Sequence, residues 1–99
     1  GITEIGVPKK FEVSQNYPNP FNPVTKIDYQ LPDAGKIKLV IYDMLGREVK
    51  NLINEVKPAG FYSEEFDAAS LASGIYVYRL SFENSNNHFI ITKRMTLLK

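Results

Sequence analysis

Cysteine and tryptophan are absent from this 99-residue chain, and histidine occurs once. Without cysteine there is no structural disulfide and no thiolate metal centre, and the redox compartment is left open. The single histidine, His88, sits beside a turn with no nucleophile-elbow or comparable motif, whereas a catalytic triad needs a base, a nucleophile and an orienting acid together. Charge of one sign is also missing. Twelve Lys and Arg stand against eleven Asp and Glu, a formal net charge of +1, which gives no long-range field to draw a polyanion, so nucleic acid is not an expected partner. The longest apolar runs, Leu39 to Tyr42 and Ile75 to Tyr78, fall far short of the roughly 20 residues that cross a bilayer as a helix.

Paired carboxylates of the kind that hydrolyse glycosides are not marked out among Asp28, Asp43, Glu48, Glu64, Glu65 and Asp67, which read as turn and strand-edge acids. No calcium-loop spacing is present. Asn19, Asn22, Asp43 and Asp67 would supply oxygen ligands to a hard cation only if their loops converged. No cofactor is implied.

What is present suits one folded domain: 43% hydrophobic residues, 12% aromatic, with six Tyr and six Phe. Gly1 to Lys10, with two glycines, a proline and no periodicity, reads as a linker from an upstream domain, with any export signal further upstream. The domain is expected over residues 11–99. Phe11 to Gln15 is a short first strand. Tyr17-Pro-Asn-Pro-Phe-Asn-Pro23 holds three prolines in seven residues, which fixes an extended or turning loop in which Phe21 is placed to plug a core edge. Ile27, Tyr29 and Leu31 recur at spacing two, as do Ile37, Leu39 and Ile41, each set marking a strand with one buried face. Asp43-Met-Leu-Gly46 matches a type I turn whose glycine takes positive φ. Arg47 to Asn54 returns, Phe61 to Phe66 follows, and Asp67 to Ser73 crosses over as a loop with room for one helical turn. Gly74 to Glu83 and His88 to Leu98 form a last hairpin about Asn84-Ser-Asn-Asn87.

About seven antiparallel strands at regular spacing predict an all-β, immunoglobulin-like sandwich. Tyr76 and Tyr78 share a strand face, and Tyr42 and Tyr62 are candidates to join them. Exposed, such a row would stack sugar rings, the mark of a carbohydrate-binding or spacer module on a secreted enzyme; buried, it is core. Leu80 continues the same face and favours burial.

The ordered phrases Pro18-Asn-Pro-Phe-Asn-Pro23, Leu31-Pro32, Ile41-Tyr-Asp43 with Gly46-Arg47 and Val49, Ala59-Gly60, Leu71-Ala-Ser-Gly-Ile-Tyr76 with Arg79-Leu80, and Lys93 with Met95 before Leu97-Leu-Lys99 resemble the type A C-terminal sorting domain of type IX secretion cargo. The likeness runs from about Phe11 to Lys99. Phe66 stands where that family usually has Trp, a packing substitution. The immunoglobulin-like domain of flagellar hook-capping proteins is similar in appearance. The resemblance implies a non-catalytic sorting module: its parent reaches the periplasm, the outer-membrane translocon reads the domain, and a sortase-like protease acts at the surface. Position in the chain, and not the resemblance, points to Lys93, Arg94, Met95 and Lys99 for recognition and to Phe21, Gly46, Gly74 and Tyr76 for fold definition. The last strand would offer its backbone or basic face to a partner.

Overall fold

The structure, a computed structural model, describes residues 6–99. Alternation decides most of its strands. Thr25, Ile27, Tyr29 and Leu31 are buried in Val24–Leu31, and Ile37, Leu39 and Ile41 in Gly35–Tyr42, the period-two pattern that places successive side chains on opposite sheet faces. The chain runs β1 (Glu12–Val13), β2 (Val24–Leu31), β3 (Gly35–Tyr42), β4 (Glu48–Lys57), β5 (Gly60–Asp67), β6 (Gly74–Glu83) and β7 (His88–Leu97). All pairings between these strands are antiparallel, in a three-stranded sheet β1-β2-β5 and a four-stranded sheet β4-β3-β6-β7.

This is the expected immunoglobulin-like sandwich of seven strands. Its core lies between the sheets and is made of Ile27, Leu31 and Phe66 from one sheet and Ile37, Leu39, Ile41, Tyr78, Leu80, Met95 and Leu97 from the other, all at most 2% exposed. Of the opening segment expected to be a tether, residues 1–5 lie outside the described residues. Pro8 is buried, and the Lys10 carbonyl accepts a hydrogen bond from Gln30 Nε2 at 2.9 Å.

Two features depart in detail from the sequence reading. β4 extends to Lys57 because Val56 and Lys57 continue to pair with Lys36 and Gly35, and bulges interrupt its register opposite Leu39/Val40 and Ile41/Tyr42. Residues 67–73 contain a turn and no helix. Gly35 opens β3 where a Cβ would lie 2.7 Å from the Glu83 carbonyl oxygen and 2.6 Å from the Phe82 ring. Since that ring is itself buried, the close approach of β3 to β6 requires glycine.

Candidate functional site

The phrases that stand out in the sequence meet at one end of the sandwich, around the second half of β7. β7 is an edge strand, and its outer backbone groups need partners or shielding. The proline-rich phrase supplies them. Phe21 N–H donates to the Thr96 carbonyl at 2.9 Å, Leu98 N–H donates to the Phe21 carbonyl at 3.0 Å, and Thr96 N–H donates to Asn19 Oδ1 at 3.0 Å. Gln15 Nε2 adds a bond to the Arg94 carbonyl at 2.7 Å. Phe21 is thereby fixed as a parallel bridge to Leu97, with its ring 2% exposed and 6.1 Å from that of Phe66.

The strap is held in turn by a buried polar knot. Asn16 Nδ2 donates to Thr25 Oγ1 at 3.0 Å and Thr25 Oγ1 donates to the Pro18 carbonyl at 2.8 Å. The Tyr78 hydroxyl accepts from Asn16 N–H at 2.9 Å and donates to the Ser14 carbonyl at 2.7 Å. Tyr78 therefore ties β6 to the chain entering the strap. Reading the sequence missed Asn16 and Thr25; their local sign is that two small polar residues bracket the proline-rich phrase.

Tyr76 is buried as well, with its hydroxyl donating to the Ala72 carbonyl at 2.7 Å. The exposed sugar platform of Tyr76 and Tyr78 is thus overturned: both rings face the core because β6 alternates in step with Leu80 and Phe82. Tyr62 stacks on Tyr29 at 5.3 Å, and Tyr42 lies under the Arg79 guanidinium at 5.2 Å.

Of the four residues assigned to recognition, Lys93 is half-buried, and Arg94 is exposed on the outer face of the sheet. Met95 is a core side chain, 1% exposed. Lys99 reaches back over the crossover loop, its Nζ donating to the carbonyls of Ala69 at 2.6 Å and Leu71 at 2.8 Å, and its N–H donating to Ser73 Oγ at 2.9 Å. Among the described residues neither Lys93 nor Arg94 has a carboxylate within 4.0 Å. Gly74 starts β6 opposite Leu97. Gly46 takes φ +83° in the β3–β4 turn, where Asp43 accepts from Leu45 N–H, Arg47 N–H and Arg47 Nε. These bonds, first the one from the Arg47 backbone, hold the Asp43 carboxyl below its ordinary range.

Three of the four candidate cation ligands are committed in the same way. Asn19 serves Thr96, Asp43 serves its turn, and Asp67 Oδ1 accepts from Ala69 N–H at 2.9 Å. Among the described residues no three His, Cys, Asp or Glu are grouped to hold a metal ion.

The near-zero total charge hides a division between faces. The exposed outer positions of the three-stranded sheet include Glu12, Asp28, Glu65 and Asp67 with Lys26, whereas those of the four-stranded sheet include Lys36, Lys38, Arg79 and Arg94 with Glu48 and Glu83.

Residues 15–94 match the family described as "Secretion system C-terminal sorting domain". The chain belongs to that family. The sorting domain acts in type IX secretion, engaging that machinery to direct the protein carrying it by way of the periplasm to the cell surface or medium. No match was found among curated proteins. Among solved structures, the crystal structure of CopC from Methylosinus trichosporium OB3b superposes with a TM-score of 0.50 at 16% identity, over 89% of this chain and 93% of that one. At that identity the likeness is one of fold. No helix among the described residues is long and apolar enough to cross a membrane.

Burial pushes the Tyr78 hydroxyl up to about 12, against the partial relief of the bond from Asn16. Burial and then the Glu64 carboxylate push Tyr29 the same way, and the Tyr29 hydroxyl is buried without a hydrogen-bond partner among the described residues. An unfolded tyrosine ionises near 10. Stability from Tyr78 is therefore intact below about pH 10 and falls by on the order of 2 kcal/mol as pH rises toward 12, because the unfolded chain gives up its proton first. Tyr78→Phe is expected to lower stability at neutral pH by about 1–3 kcal/mol, through the buried Asn16 N–H it strands. It is also expected to flatten the alkaline decline; urea midpoints at about pH 8 and pH 11 measure both effects.

Proposed function

We propose that the domain is a non-enzymatic signal read through the strapped end of β7 and the basic outer face beside it. On this reading Lys93, Arg94 and Lys99 supply the charge and Met95 acts through the packing of β7. The translocon contacts this end first, and a sortase-like surface protease acts afterwards. Residues 1–10 join the domain, over residues 11–99, to an upstream catalytic or binding domain. The observation that carries the proposal is the convergence of the proline-rich strap, the crossover loop and the final strand on one another, with Arg94 exposed beside them.

A basic face fits an acidic partner surface, since complementary potentials speed encounter and set orientation. The test is a reporter fusion of residues 1–99 carrying Lys93→Glu and Arg94→Glu, neither of which removes a core side chain. The expected result is a melting temperature within a few degrees of the unaltered domain, as for most surface changes, with the reporter held in the periplasm. Full export of the doubly reversed fusion would remove these residues from the signal.

A further inference from the structure

The strap covers only the second half of the β7 edge. Outward-pointing backbone groups of β7 belong to its even-numbered residues, as the bonds made by the Arg94 carbonyl, Thr96 N–H and carbonyl, and Leu98 N–H show. The β6–β7 register is unbroken from Gly74↔Leu97 to Glu83↔His88, so the same parity carries up the strand to Thr92, Ile90 and His88. No described residue bonds to the outer backbone groups of these three. Three adjacent side chains in the middle of this open half are apolar: Ile90 is 55% exposed, Phe89 is 39% exposed with one side of its ring stacked on Phe11 at 5.1 Å, and Ile91 is half-buried, while His88 and Thr92 on either side are exposed and polar. An apolar edge with unpaired N–H and C=O groups is a template for another strand. The charges that would blunt it, Lys93 and Arg94, stand at one end.

We propose that this half of β7 pairs antiparallel with the same segment of a second copy, about a two-fold axis at Ile90, to join two four-stranded sheets into one. With Ile90 facing Ile90, His88 faces Thr92 of the other copy, and each facing pair exchanges two backbone bonds, about six in all. On the inner face Phe89 meets Ile91 of the other copy, an aromatic and β-branched pair of the kind that stabilises antiparallel sheets. Lys93 and Arg94 fall opposite Asn87 and Asn86, so no like charges oppose each other directly. The pairing also ends itself: beyond Thr92 the strap occupies the edge, and the other copy has reached its Asn84–Asn87 turn. The patch is self-complementary, as a two-fold contact requires. Five residues a side make a small interface and hence a weak, concentration-dependent dimer. The residues involved precede those assigned to recognition, so this inference stands or falls separately from the proposed function.

The test is sedimentation equilibrium of the 99-residue chain up to about 1 mM, the range in which weak contacts register. The apparent mass is expected to rise from 11.3 kDa toward twice that value. Ile90→Lys and Ile90→Glu, each on a solvent-facing position, are expected to keep the circular-dichroism spectrum and remain monomeric alone. Mixed in equal amounts they are expected to recover dimer, because position 90 faces itself. A monomer at every concentration overturns the proposal, and so does a dimer that persists in Ile90→Lys. Dimer loss in both variants without recovery on mixing overturns the register.

Discussion

A chain ending at Thr92 is expected to lose its cooperative unfolding transition. The seven residues removed include Met95 and Leu97, at 1% and 0% exposure, each contributing about 1.5–3 kcal/mol by burial. They also include every backbone group that holds Phe21 in place and the Lys99 contacts that tie down the crossover loop. A net stability of about 5–15 kcal/mol is typical of a domain, so this loss takes most of it. Thermal melting followed by circular dichroism checks the expectation. A sharp transition within a few degrees of the intact domain, where one kcal/mol shifts the midpoint by about 4–8 °C, would show that β7 is dispensable to the fold. The same result determines how truncation is read in the cell: lost export from a truncated chain reports lost fold before it reports lost recognition, which makes the Lys93 and Arg94 reversals the sharper probe.

The second large effect is expected at Phe21. Its ring is 2% exposed and packs on Phe66 at the end of the sandwich where strap and β7 meet. Phe21→Ala leaves the backbone bridge chemically intact but empties the pocket beneath it, and such core truncations cost about 3–5 kcal/mol. The midpoint is expected to fall by roughly 15 °C or more, with the outer groups of Thr96 and Leu98 gaining faster hydrogen exchange than those of β3. A loss below about 1 kcal/mol would mean that the bridge, and not the ring, anchors the strap.

The strands were legible because the hydrophobic period survives in them: Ile27-Tyr29-Leu31 and Ile37-Leu39-Ile41 announce their buried faces, and Asp43-Met-Leu-Gly46 announces its turn. The two bulges of β4 were not, because Glu48 to Lys57 has too weak an alternation for one extra residue to show. Burial of Tyr76 and Tyr78 followed from Leu80 on the same face, yet sequence alone left the exposed platform as an alternative, since a tyrosine suits either environment. The site was legible as a set of phrases and not as a geometry. Nothing local says that Asn19 and Phe21 bond to Thr96, 77 and 75 positions away by number, or that the Lys99 ammonium closes the crossover loop. Those contacts depend on which strands lie at the sheet edges. The split of charge between the two outer faces was hidden for the same reason, because a net charge carries no information about sides.

The sorting role is tested most directly by the location of a fluorescent reporter fused ahead of residues 1–99, behind a signal peptide, in a bacterium with a type IX system and in the same strain with its translocon disabled. Reporter is expected at the surface or in the medium of the first strain and in the periplasm of the second. Reporter in the periplasm of both, or outside both, would contradict that role.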